Sequence, residues 1–312
     1  MAAKTFILGA GFSKLADFPL VRELKQLILR QVAGDWPHPG YRKEQFDEGL
    51  RAVDREGIEF EGLLIALRDR FGSAHVTPSV LRSTCARCFW NRQNALTDLP
   101  LEYKNFATWM RERNPSGGRN AIISLNWDLL AERALWDTEI SWIYHAQWPS
   151  QVPILKPHGS INWSKHVKDG LIAQSSEWEP IAKGRSFCFR PSNPLSDAFA
   201  DRVNEDLRYL IFPGDPEDED EAKVIWAEAE RAIQEREVAV FIGYRLPEYD
   251  SFATDFFRRA ATGKRIEVYV SSPDVLRRYR EVFGEIATEA PLRFENCPYA
   301  RDHPHSETAT AY

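Results

Sequence analysis

An α/β fold is predicted, a Rossmann-like parallel sheet with helices on both faces and a helical insertion module. Three observations predict it. Short apolar runs at Thr5–Leu8, Asn120–Leu125, Val238–Ile242 and Ile266–Val270 have the pattern of parallel strands buried on both faces. Each is followed by a turn of glycine or small polar residues, and then by a segment of helical period. Between Trp36 and Pro115 the apolar residues repeat with helical spacing, and no strand signal of comparable strength interrupts them.

The first strand ends in Gly9-Ala10-Gly11-Phe12-Ser13. Glycine lets a backbone turn tightly and lets a ligand approach it closely. From Val21 the sequence turns helical, with Val21, Leu24, Leu27 and Ile28 on one face. A strand, a glycine turn and a helix make a phosphate cradle, because free N–H groups at a helix start attract anions. A partial G-x-G also fits a turn that merely joins strand to helix, so this stretch alone leaves both readings open.

Gly34 to Gly40 is a loop. The insertion follows, over residues 35–115. Phe46, Leu50 and Val53 share one helix face, and Phe60, Leu63, Leu64 and Leu67 share another. Further helices are expected near Ser79–Asn94 and Leu101–Arg113. The aromatics Phe46, Phe60, Phe71, Trp90, Phe106 and Trp109 belong to a core rather than to a cofactor site.

The second strand runs directly into Asn126-Trp127-Asp128 and a helix through Leu129, Leu130, Arg133 and Ala134. Polar residues just past the carboxyl end of a core strand stand where open α/β sheets bind ligands. Either Asn126 or Asp128 also suits a helix cap, and neighbouring residues can divide the two roles. Weaker strands are expected at Ser141–His145 and Val152–Lys156. The second leads into Pro157-His158-Gly159, a polar turn that sets His158 at a strand end. His145 and His166 lack such a setting, and His38, His75, His303 and His305 read as loop or tail residues. From Lys165 to about Arg202 the pattern is poor, with a small hairpin suggested around Phe187-Cys188-Phe189. Leu210 to Gly214 suggests a short extended segment. The acidic run from Glu217 to Glu221 then starts a helix carrying Ile225, Ala229, Ala232 and Ile233 on one face. The strand Val238–Ile242 ends in Gly243-Tyr244-Arg245, before an apolar helix with Phe252, Phe256 and Phe257. The last strand ends in Ser271-Ser272-Pro273-Asp274, ahead of a helix near Leu276. Residues 300–312 are polar and expected to fray. The chain thus reads as a single domain over residues 1–312.

The bulk composition narrows the functional classes. With 312 residues, 43% of them hydrophobic, the chain can bury a sizeable core. Forty basic against forty-six acidic residues give a net charge of −6, which argues against direct nucleic-acid binding. The four cysteines, Cys85, Cys88, Cys188 and Cys297, supply one C-x-x-C where a structural zinc site usually needs two close pairs. No metal is expected, and reduced thiols point to a cytoplasmic protein. The N-terminal apolar run is too short and too broken by glycine for a signal peptide or a membrane span. Lys14 occupies the place of a dehydrogenase's third glycine, and there is no P-loop.

Four strand ends now carry glycine or polar turns, and in order they resemble the motifs of the sirtuin (silent-information-regulator) family. Gly9-Ala10-Gly11-Phe12-Ser13, with Pro19 downstream, resembles its first nucleotide-binding motif, and Asn126-Trp127-Asp128 its Asn-x-Asp motif. Leu155-Lys156-Pro157-His158-Gly159-Ser160-Ile161-Asn162-Trp163 is similar to its His-Gly motif in the bacterial branch. Phe241 to Asp250 is similar to the late glycine strand of that branch. The chain departs from the family at Asp17-Phe18-Pro19, where glycine often precedes the proline. It also lacks the two zinc C-x-x-C pairs of deacylases, and its helical insertion differs from theirs. These departures fit the branch that resembles NAD-degrading effectors of bacterial antiphage defence.

The resemblance implies NAD as the substrate. It implies that Gly9, Ala10, Gly11, Phe12 and Ser13 hold the pyrophosphate, and that Gly243 and Tyr244 approach the phosphates or the adenine ribose. Ser271 would lie near the adenosine, and Asp128 would bind the nicotinamide carboxamide. Asn126 would orient the ribose hydroxyls or a water, with His158 as general base. The expected activity is hydrolysis of NAD to nicotinamide and ADP-ribose by a regulated antiphage effector. An NAD-dependent protein deacylase and a non-catalytic NAD or ADP-ribose-binding subunit are the alternatives. By family analogy an ATPase or Argonaute-like partner would activate the chain, which is expected to act as a homo-oligomer or within a hetero-complex, away from membranes.

Overall fold

A computed structural model of the chain describes residues 2–34, 42–54, 58–72, 76–112, 120–144, 151–165, 172–174, 208–210, 220–288 and 290–301. Six parallel strands form one sheet in the order β3-β4-β2-β1-β8-β9. They are β1 (Lys4–Leu8), β2 (Ala121–Ser124), β3 (Trp142–Ile143), β4 (Val152–Leu155), β8 (Val238–Ile242) and β9 (Arg265–Tyr269). From β1 the chain passes to β2 beside it, then to β3 at the edge, and returns to β4 between β2 and β3, whereas β8 and β9 extend the sheet on the other side. The strand order therefore reverses between β1 and β8, the point at which such sheets open a ligand crevice at their carboxyl ends.

The central strands are apolar throughout because both faces are covered. Phe6 and Leu8 of β1 face one apolar cluster while Ile7 faces another, and Val238, Val240 and Ile242 alternate with Ala239 and Phe241 in the same way. The first cluster receives α2 (Val21–Gly34), α3 (Lys43–Val53), α4 (Phe60–Phe71), α5 (Val76–Ala95), α6 (Leu101–Glu112) and α7 (Leu130–Asp137). The second receives most of the apolar residues of α8 (Asp220–Gln234), with α9 (Ser251–Ala260) and α10 (Pro273–Phe283). The insertion supplies α3 to α6. These helices are continuous with the main core, since the rings of Phe106 and Trp109 meet Phe6 edge-on at 5.3 and 5.5 Å. Phe71 is only partly buried and packs at the margin of that core.

Several expectations need correction. Helix begins immediately after Gly9, as the single turn α1 (Ala10–Ser13), which continues into a 3-10 turn at Lys14–Ala16. On α2, Leu24, Ile28 and Val32 are buried, whereas Leu27 is 42% exposed, because three residues of helix carry it off the stripe that four residues maintain. Phe252 opens α9 half-exposed, its ring edge against Trp226 at 5.1 Å. The polar turn at His158 is followed at once by β5 (Gly159–Lys165), which pairs antiparallel with β6 (Ile172–Gln174) and β7 (Arg208–Leu210). This second sheet was not anticipated. The suggested hairpin at Phe187–Phe189, residues 211–214, the acidic residues 217–219, residues 302–312, Cys188, and the histidines at 38, 75, 145, 166, 303 and 305 lie outside the described residues.

Candidate active site

The centre of the site is the meeting of two loops. Gly9 N–H donates to Ile242 O and Gly11 N–H to Gly243 O, both at 2.9 Å, and Phe12 N–H turns back to Gly9 O at 2.8 Å. The backbones are so close that a Cβ on Gly9 would lie 2.5 Å from Tyr244 Cα, and one on Gly11 2.7 Å from Gly243 Cα. Gly243 itself has φ +67°, and a Cβ there would strike Phe12 N and Gly11. The glycines are thus required by the contact between the β1 and β8 loops, and the amides of Gly9, Gly11 and Phe12 are engaged within the protein. The Phe12 ring points into the core against Tyr103 and Phe294, and the Tyr103 hydroxyl donates to Phe12 O at 2.6 Å.

Above this junction lies a cavity of about 750 Å³. That is within the range of small-molecule and cofactor sites, roughly 300–1,000 Å³. Of the residues singled out from sequence, Gly9, Ala10, Gly11, Ser13, Asn126, Asp128, His158, Gly243, Tyr244 and Ser271 all line it, and Phe12 does not. Strand ends from 27 to more than 200 residues apart in the chain are therefore brought to one crevice.

The polar network beneath the cavity fixes the orientation of Asn126. Its Nδ2 donates to Gly9 O and to Ser13 Oγ, each at 2.9 Å. A carbonyl accepts only, so the nitrogen must face Gly9, and the Asn126 side-chain oxygen is the end able to accept from a ligand hydroxyl or a water. Ser13 Oγ donates to Asp128 Oδ2 at 2.6 Å, and Asp128 Oδ1 accepts from Leu130 N–H at 3.1 Å. Asp128 therefore stabilises the entry to α7 as well as the glycine loop. Burial pushes its carboxyl above the usual range, while Lys156, Ser13 and Leu130 pull it back.

Lys156 is wholly buried; its Nζ donates to Asp128 O at 2.5 Å and to Glu132 Oε1 at 2.9 Å, and Tyr144 also donates to Glu132 Oε1, at 3.0 Å. Two residues on, His158 O accepts from Trp127 Nε1 at 2.9 Å. Its Nε2 lies 3.8 Å from Asp250 Oδ2, which accepts from the Tyr244 hydroxyl at 3.0 Å. The other Asp250 oxygen caps α9, accepting from Ala253 N–H at 3.2 Å.

Composition and spacing did not reveal Lys156, Glu61 or the junction at Asp250 as parts of this site. For Asp250 and Lys156 a signal was present, since both fall inside the quoted motifs. For Glu61 none was, because a glutamate on an amphipathic helix ordinarily faces water. Cys88 Sγ donates to Gln31 Oε1 at 2.6 Å while Cys85 is buried in the core, so this C-x-x-C is divided between two environments. Burial pushes the Cys88 thiol up to about 11. Among the described residues no group of three or more His, Cys, Asp or Glu is placed to hold a metal ion, and no helix is long and apolar enough to cross a membrane.

No family model and no curated protein matches the chain. Solved structures that resemble it include a Sir2 homologue in complex with NAD, at 14% identity and a TM-score of 0.43, covering 91% of each chain. A second, a structure concerned with the mechanism and regulation of Sir2 enzymes, is 14% identical over 90% of this chain and 84% of that one, with a TM-score of 0.43. A variant Sir2 homologue in complex with ADP-ribose is 15% identical over 87% of this chain and 81% of that one, with a TM-score of 0.41.

Proposed function

We propose that the chain binds NAD in this cavity and hydrolyses it, releasing nicotinamide and leaving ADP-ribose. The observation that carries the reading is the convergence of Asn126 and His158 on one crevice, with Asp250 Oδ2 3.8 Å behind the imidazole. The residues present suit a dinucleotide. Basic side chains at Lys14, Arg22, Arg245 and Arg293 line the cavity for phosphates, and Phe18, Phe89 and Trp127 give it an apolar wall. Because three amides of the glycine loop are engaged internally, phosphate recognition falls to those cations and to the remaining groups of the Ala10–Ser13 turn.

In the reaction the bond from the ribose anomeric carbon to the nicotinamide nitrogen breaks, and nicotinamide leaves as the neutral base. The Asn126 oxygen accepts from the attacking water or an adjacent ribose hydroxyl and so orients it. His158 takes the proton as the water oxygen bonds to the anomeric carbon, and Asp250 stabilises the charge the ring gains. The motif resemblance to the bacterial branch supports a further reading, that the hydrolase is a regulated effector of antiphage defence, switched by a partner protein or by assembly.

The test is nicotinamide release from NAD without peptide. The wild type is expected to release it, and His158→Ala and Asn126→Ala to lose about 10²–10⁴-fold. Turnover only with an acyl-peptide would make the chain a deacylase. Binding without turnover would make it a binding subunit, a reading favoured by one observation, the engagement of Asn126 Nδ2 within the protein. The effector reading predicts loss of cellular NAD during phage infection, absent with His158→Ala.

A further inference from the structure

Glu61 stands in the first turn of α4, on the helix that sends Phe60, Leu63, Leu64 and Leu67 into the core. It is 4% exposed, yet it lines the cavity, and its Oε2 has no hydrogen-bond partner among the described residues. Its carboxyl meets its own backbone N–H, and the buried oxygen left without a partner costs folding free energy that an apolar side chain would not. The groups facing it come from three elements. Glu59 precedes it at the start of α4, Arg245, Tyr249 and Asp250 come from the loop between β8 and α9, and Cys85 comes from α5. Arg245 is paired with Glu59, so its charge is shared. Burial, above all, pushes the Glu61 carboxyl up to about 7; its own backbone N–H and Arg245 oppose the rise, and Glu59 and Asp250 add to it. Below about pH 7 the cavity wall therefore carries mainly a carboxylic acid able to donate a hydrogen bond.

We propose that Glu61 is a ligand-recognising residue whose carboxyl donates a hydrogen bond to an oxygen of the ribose next to His158, which makes the helical insertion part of the binding site. The inference rests on the dinucleotide reading above. Glu61, Asp250 and His158 line the same cavity, and Asp250 Oδ2 lies 3.8 Å from His158 Nε2, so the ribose beside His158 is the part of the ligand assigned to Glu61. The sign of the pH dependence follows. The donor form is populated below about 7 and is lost as pH rises through that value, so ligand affinity falls from pH 6 to pH 8.

ADP-ribose is the probe, because it keeps this ribose and is not consumed. Its affinity is measured by calorimetry at pH 6 and pH 8 on the full chain, on Glu61→Gln and on Glu61→Leu, with the thermal midpoint of each. At pH 6, Glu61→Leu is expected to lose about tenfold in affinity while its midpoint stays or rises. Glu61→Gln, which still donates, stays within about threefold and loses the part of the pH dependence that Glu61 contributes. Equal affinities for the wild type and Glu61→Leu overturn the inference and leave the dinucleotide reading standing. So does a loss that Gln and Leu share together with a lowered midpoint, which marks a structural role. A wild type that binds neither ADP-ribose nor NAD overturns both.

Discussion

Asp250 Oδ2 lies 3.8 Å from His158 Nε2 and accepts a hydrogen bond from Tyr244 at 3.0 Å, so one carboxylate joins the candidate base to the glycine loop of β8. Its second oxygen caps α9. The aspartate thus has a chemical and a structural role that one substitution can separate.

Asp250→Asn keeps a good helix cap and removes the charge behind the imidazole. Nicotinamide release is expected to fall by about tenfold or more, short of the full loss of a general base, while the thermal midpoint changes little. Asp250→Ala also loses the cap and should cost about 1 kcal/mol more in urea unfolding. Equal turnover in the wild type and Asp250→Asn would remove Asp250 from the chemistry.

Lys156 and Glu132 form an ion pair at 2.9 Å with both side chains wholly buried. Breaking such a pair leaves one charge uncompensated, so Lys156→Met should destabilise the fold by roughly 3–5 kcal/mol. The double variant Lys156→Met, Glu132→Leu removes both charges and should recover much of that loss. Urea denaturation of the two variants decides the matter. A double variant no more stable than the single one would show that the bond from Lys156 to Asp128 O matters more than the pair.

Gly243→Ala places a methyl group against Phe12 N and Gly11 at a left-handed φ of +67°. The strain and the clash act together, and a loss of several kcal/mol is expected, on the order of 3 or more. Circular dichroism during thermal melting provides the check. A variant melting within a few degrees of the wild type would mean that the two loops separate easily.

Much of the sheet was legible in the sequence because its central strands are buried on both faces and therefore carry unbroken apolar runs, as in Val238–Ile242. The location of the site was legible for the same reason, since glycine and polar residues placed directly after such runs must collect at one edge. The second sheet was not. β6 and β7 are three residues each, and β7 finds β5 from more than forty residues away, so neither carries a local signature. The cause of the glycines was also hidden. Close approach by a ligand and close approach by Tyr244 ask the same of Gly9, and only the crossing of the two loops tells them apart. Glu61 stayed obscure because a glutamate within an amphipathic helix carries no local sign that it is buried.

The junction of Gly9, Gly11 and Gly243 has a consequence for inheritance. The three positions share one small volume, and no one of them can acquire a side chain unless the strands that carry the others move apart. Drift elsewhere in the chain leaves that exclusion untouched. Any descendant that keeps β1 beside β8 at this distance must keep the residue without a side chain at all three positions, however little else it shares with its ancestor.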